Sequence, residues 1–264
     1  MAAKTIGIIS LKGGVGKTSC TANIGASLAN DFNKKVLLID ANFNAPNLGA
    51  HLGVIGAKNN LHTVLQGKHK PHSAIYEHAY GFHILPASIE GAKVNYLKLK
   101  DIVKELKGHY DIILLDSSPA LNEEMLAVIM ASDELFVIST PDHPTLLCTM
   151  NAVKIAKKNG TNINGIILNK VLGKKYELTK GEVESVADAP VVGNLPFDIR
   201  ILKGLAEYKP MVLFKPRCSL SRSFKKLAAY ILGEEVEDKT VLTNLKEYII
   251  EDLEKSLRLI GLGD

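Results

Sequence analysis

The chain has 264 residues, 46 % of them hydrophobic and 23 % charged, which is the composition of a folded globular protein and excludes a disordered or fibrous one. A formal net charge of +4 permits an anionic partner without demanding one, and three separated cysteines (Cys20, Cys148, Cys218) argue against a disulfide framework or a cysteine-ligated cluster held within one chain. No apolar run approaches the ~18–20 residues of a membrane-spanning helix, and Met1–Leu11 enters a glycine loop with no leader cleavage site, so a cytoplasmic protein is expected.

In chain order, strands are predicted at Thr5–Ser10, Lys35–Asp40, Phe82–Pro86, Asp111–Asp116, Glu134–Thr140, Asn164–Asn169 and Val191–Leu195. Runs such as VLLID, DIILLD and LFVIST are apolar throughout, the pattern of strands buried on both faces of a parallel sheet. Helical spacing falls between them, at Thr18–Asn30, Tyr96–Lys107, Asn122–Ala131, Thr145–Lys158, Asp198–Tyr208 and Ser219–Leu232. This alternation predicts a doubly wound α/β fold with a mostly parallel sheet and helices on both faces. Residues 1–232 are read as one domain and residues 233–264 as a tail. Within the tail, Val241–Ile260 carries an amphipathic stripe of Leu245, Ile249, Leu253, Leu257 and Ile260. The segment from Asn42 to Ser88 is harder to read: it has a weak helical pattern at Asn60–Leu65 and six of the eight histidines, at spacings that match no metal-ligand motif.

The strongest chemical signal is Lys12-Gly13-Gly14-Val15-Gly16-Lys17-Thr18-Ser19, after a strand and opening a helix. Glycines let successive backbone N–H groups curl around the phosphates of ATP, and the helix adds its positive dipole end. Lys17 is placed to reach the β- and γ-phosphates and the Thr18 hydroxyl to ligate Mg²⁺.

The loop departs from G-x-x-x-x-G-K-T in having Leu11 at the first glycine and a second lysine at Lys12. In this form, KGGVGKT, it resembles the deviant Walker A of the MinD/ParA family, a P-loop NTPase group of the SIMIBI class that also includes the nitrogenase iron protein. The resemblance extends over about Lys4 to Leu232. DIILLDSSP (Asp111–Pro119) is similar to the family's Walker B strand and second switch, which assigns Asp116 to the Mg²⁺ shell. IILNK (Ile166–Lys170) and NLPFD (Asn194–Asp198) are similar to the adenine-binding segments, with Asn169 bonding the base and Pro196 packing on it. LAEYKPMVLFKPRCSLSRSFKKLA (Leu205–Ala228) is similar to the MinD branch. The resemblance implies an ATPase whose cofactors are ATP and Mg²⁺. It also implies an ATP-sandwich homodimer in which Lys12 reaches the partner's nucleotide, with segments 42–48 and 117–124 as switches.

One position departs from the family. Where D-x-D is usual, this chain has Asp40-Ala41-Asn42, and an amide can orient water but cannot act as a general base. Either Asp40 takes on part of the role by bridging to the metal shell, or hydrolysis is slow and the protein is a long-lived ATP-bound switch.

What the dimer binds stays open among three readings. The first is a MinD-like positioning ATPase in cell division or cell-pole organisation, with an activator or cargo protein and peripheral membrane contact. Against strong anchoring, the polar face of the tail is mildly acidic, with Lys246, Lys255 and Arg258 opposed by Glu247, Glu251, Asp252, Glu254 and Asp264. The second is ParA-like DNA partitioning, suggested by Arg200, Lys203, Lys209, Lys215, Arg217, Arg222, Lys225 and Lys226 against Glu207 alone. The third, a metal-cluster or electron-transfer carrier, lacks paired cysteines.

Overall fold

The structure is a computed structural model that describes residues 3–88 and 94–234. The chain divides after Leu232 into two units. The amphipathic stripe expected in the tail lies outside the described residues.

Among the described residues the sheet has eight strands: β1 (Lys4–Ile9), β2 (Val36–Ala41), β3 (Tyr76–Glu77), β4 (His83–Leu85), β5 (Ile112–Ser117), β6 (Glu134–Ser139), β7 (Asn162–Val171) and β8 (Val191–Pro196). Their spatial order is β3-β4-β2-β5-β1-β6-β7-β8, and every pairing is parallel except β3 with β4. The helices are α1 (Lys17–Asn30), α2 (Leu48–His51), α3 (Leu61–Leu65), α4 (Leu99–Leu106), α5 (Glu123–Ala131), α6 (His143–Lys158), α7 (Lys180–Ala187), α8 (Ile201–Ala206), α9 (Met211–Phe214) and α10 (Ser219–Leu232). The doubly wound, mostly parallel fold expected from the strand runs is the fold observed.

The apolar runs divide with period two between the faces. Leu37, Ile39, Ile113, Leu115, Leu135 and Val137 pack into the core under α4, α5 and α6. Their neighbours Val36, Leu38, Ile112, Leu114, Phe136 and Ile138 pack into the core under α1 and α10. Both faces are dry, which is why no polar alternation interrupts the strands. Truncating the wholly buried Phe136 to Ala would cost about 3–5 kcal/mol.

Local signals start and stop the helices. Asn122, Asp142 and Thr179 cap the N-termini of α5, α6 and α7 by accepting from Met125, Thr145 and Glu182 N–H groups. The helix predicted over Tyr96–Lys107 is a 3₁₀ turn at Tyr96–Lys98 leading into α4, and the one predicted over Asp198–Tyr208 keeps only Ile201–Ala206 as α-helix. The weak pattern at Asn60–Leu65 is α3, set by a capping box between Asn60 and Thr63. Sequence reading missed α7, α9, α2 and the two-residue β3.

Because β1 has β5 on one side and β6 on the other, its carboxyl end opens at the crevice where the chain winds to opposite sides of the sheet. Register places Ile8 beside Asp116, and Asp116 beside Asp40.

Candidate active site

From Ile9 the chain turns sharply into α1, and Gly14 (φ 74°) and Gly16 (φ 100°) carry the left-handed backbone that the turn requires. At Gly16 a Cβ would also collide with Asn169 Nδ2. The end of β7 holds the loop: Asn169 Nδ2 donates to Val15 O at 2.7 Å and Lys170 Nζ to Gly14 O at 2.7 Å. The N–H groups from Gly13 to Ser19 have no hydrogen-bond partner among the described residues, the arrangement a phosphate chain would satisfy.

A cleft of about 360 Å³ lies over this loop, large enough for a nucleotide. It is lined by Gly13, Gly14, Gly16, Lys17, Thr18 and Ser19, with Asn42 and Asn47 on one side and Asn169, Pro196 and Phe197 on another. The cleft therefore unites the predicted phosphate and adenine residues, apart from Val15, which is buried beneath the loop. Lys17 is 7 % exposed; burial pushes its ammonium below the ordinary lysine range, and Asp116 acts in the opposite direction.

Asp116 is wholly buried. Thr21 Oγ1 donates to its Oδ1 at 3.4 Å, while its Oδ2 has no partner. A buried carboxylate oxygen left unpaired is costly, and a hydrated divalent cation would satisfy it. The donor set of Asp116 and Thr18 fits Mg²⁺. Burial raises the Asp116 carboxyl above the usual carboxylate range, against the pull of Thr18, Lys17 and Thr21. Asp40 is raised further by burial and by Asp116. Its oxygens are engaged by the segment that follows β2, with Asn42 N–H donating to Oδ1 at 3.2 Å and Leu48 N–H to Oδ2 at 2.9 Å.

Asn42 is held in the same turn, its Nδ2 donating to Ala45 O at 2.6 Å. The next two residues are gripped from the start of α5. Glu124, 1 % exposed, accepts from Phe43 N–H at 3.1 Å and from the Asn44 side-chain amide. One carboxylate thus joins segment 42–48 to segment 117–124. Lys12 points elsewhere: its Nζ donates to Asp142 Oδ1 at 3.2 Å and Thr145 Oγ1 at 2.5 Å, at the start of α6, and it does not line its own chain's cleft. Asp142 is partly buried, which raises its carboxyl, but hydrogen bonds from Thr140, Thr145 and Lys12 bring it down to about 2.

Sequence reasoning missed Glu124, Lys170 and the Asp142–Thr145 pair. Asp142-x-x-Thr145 ahead of a helical pattern is a capping signal that could have located the last of these. In the basic segment, Arg200 pairs with Asp198 and Lys225 with Asp31, which reduces the charge available to DNA. Cys20 is buried, Cys148 is half-buried on α6 and Cys218 Sγ lies against Ser221. Among the described residues no helix is long and apolar enough to cross a membrane.

Comparison with known proteins agrees with this geometry. A family model described as an AAA domain matches residues 3–164. The chain is 31 % identical to an uncharacterized ATP-binding protein of Methanocaldococcus jannaschii over 96 % of both chains. It is 29 % identical to the septum site-determining protein MinD of Thermotoga maritima, over 93 % of this chain and 94 % of that one. The structure is similar to that of MinD complexed with Mg-ADP from Pyrococcus horikoshii, with a TM-score of 0.82 and 33 % identity over 87 % of this chain and 96 % of that one. With that loop, that sheet order and these relatives, the chain belongs to the MinD/ParA family of P-loop ATPases.

Proposed function

We propose that this protein binds Mg-ATP, pairs with a second copy around it and acts as a spatial-positioning switch in cell division or cell-pole organisation. The observation that carries the reading is the placement of Lys12. It is the second lysine of the loop, yet its Nζ sits outside its own cleft on the cap of α6. A cation so placed is available to a nucleotide held by another chain, where it would neutralise charge developing on the transferred phosphoryl group. Exposed Leu121 in the second switch and exposed Leu147 on α6 supply apolar surface that pairing would cover. A complex of MinC with MinD from Aquifex aeolicus, 26 % identical with a TM-score of 0.81, supports a partner protein for such a switch.

Thr18 and Asp116 would hold Mg²⁺, Lys17 and the loop N–H groups the phosphates, and Asn169 with Pro196 the base. Asn42 lines the cleft without a charge to offer the attacking water, so ATP cleavage is slow and serves as a timer.

The test is flotation with anionic vesicles in ATP and in ADP, using the intact chain, Lys12→Ala and a chain ending at Gly233. Flotation that needs ATP, Lys12 and the tail supports membrane positioning. No flotation in any state rules it out and leaves a soluble partner as the target.

A further inference from the structure

A second cavity, of about 630 Å³, lies behind the first switch at the carboxyl ends of β2 and β4. It exceeds the nucleotide cleft and falls within the size range of small-molecule sites. Gly49, Ala50, Gly56, Ala57 and Ala87 line it, and their small side chains leave the space open.

The charged side chains on its wall are two lysines and one aspartate. Lys58 and Lys68 line it and form no ion pair among the described residues. His62 lines it too, although only 4 % exposed. Its Nδ1 accepts from Ser88 N–H at 3.2 Å, which places the ring proton on Nε2. That Nε2–H forms no hydrogen bond among the described residues and is not among the buried unpaired atoms, so it is open to donate to an occupant of the cavity. The acid on the wall is Asp40, whose oxygens already accept from Asn42 and Leu48.

We infer that this cavity is a second ligand site, taking a small anion whose carboxylate or phosphate group accepts from His62 Nε2–H between Lys58 and Lys68. The occupant would lie one side chain from the switch. The His62 ring meets the Phe43 ring edge-on, with centroids 5.6 Å apart, and Glu124 holds the Phe43 N–H.

The test is a titration of the intact, histidine-¹⁵N-labelled protein, saturated with Mg-ADP, with succinate and separately with inorganic phosphate, followed by imidazole ¹⁵N spectra. His51 lines the nucleotide cleft and serves as an internal reference. The expected result is a saturable shift of His62 Nε2 at millimolar concentration or below, with His51 unmoved. The anion with the lower midpoint identifies the group recognised. Replacing both lysines (Lys58→Ala with Lys68→Ala) should weaken the binding tenfold or more. A static His62, a His62 that moves only together with His51, or an unchanged titration in the double variant overturns the proposal. If the protein failed to bind Mg-ADP, the nucleotide reading would fall while His62 still reported on the cavity.

Discussion

Asp40 and Asp116 are register partners on β2 and β5, two wholly buried carboxylates side by side. Burial raises both above the usual range, and the neighbouring Asp116 raises Asp40 further. Their protonated forms therefore favour the ligand-free fold. That contribution is complete below the unfolded carboxylate value of about 4 and is lost as pH rises through the raised native values. The melting temperature of ligand-free protein should fall as pH rises from about 5 to about 8, and Asp116→Asn should flatten the profile. The same variant should lose about tenfold or more of the Mg²⁺-dependent gain in nucleotide affinity. Scanning calorimetry across pH, with and without Mg-ADP, reads both effects.

Glu124 joins segment 117–124 to segment 42–48 through Phe43 and Asn44. Glu124→Ala strands the buried Phe43 N–H, while the amide of exposed Asn44 can turn to water, and should cost about 1–3 kcal/mol. For a domain of this size that is roughly 2–4 °C of melting temperature per kcal/mol. Glu124→Gln, which keeps one acceptor, should lose less. Equal melting curves for wild type and Glu124→Ala would contradict the bridge.

Asn42 sets the chemistry of the slow-timer reading. Asn42→Asp gives up the bond to Ala45 O and supplies a charge beside the cleft. The single-turnover rate of ATP cleavage should rise, by about tenfold or more if the carboxylate acts on the attacking water. An unchanged rate would remove the support for a switch slowed by Asn42.

The Lys12–Asp142 contact can be loosened separately from the cap it shares. Asp142→Asn keeps an acceptor for Thr145 N–H but removes the charge opposite Lys12. Stability should change by less than about 1 kcal/mol, because both side chains are partly exposed. ATP-dependent pairing should occur at lower protein concentration. Acid does not substitute for the mutation: with Asp142 at about 2, its ionised form persists until pH falls through that value. Sedimentation in ATP at a series of concentrations measures the effect.

The fold was legible because the strands are apolar on both faces. Runs like VLLID permit little besides a covered parallel sheet. The P-loop was legible because glycines, lysine and threonine must follow one another along the chain to cradle phosphate, whereas Asn169 and Pro196 were expected at the cleft only through family resemblance. Glu124 was not legible, since its partners lie about eighty residues away and its position in α5 looks like an ordinary acidic first turn. The α7 segment was missed because KGEVESVA mixes glycine, valine and serine, and its capping box at Thr179 and Glu182 is the stronger signal. The histidine-rich segment gave no periodic pattern. Its histidines are used one at a time: His78 Nε2 is bonded to Leu52 O while its ring stacks on Phe82, and His83 Nδ1 to the Tyr110 hydroxyl.

The most direct test of the central claim is the mass of the intact protein by sedimentation equilibrium in Mg-ATP and in Mg-ADP, for wild type and Lys12→Ala. The account predicts a doubled mass only for wild type in ATP, with Lys12→Ala monomeric although its own cleft still binds nucleotide. A mass that ignores the nucleotide, or a Lys12→Ala variant that pairs as wild type does, would contradict it.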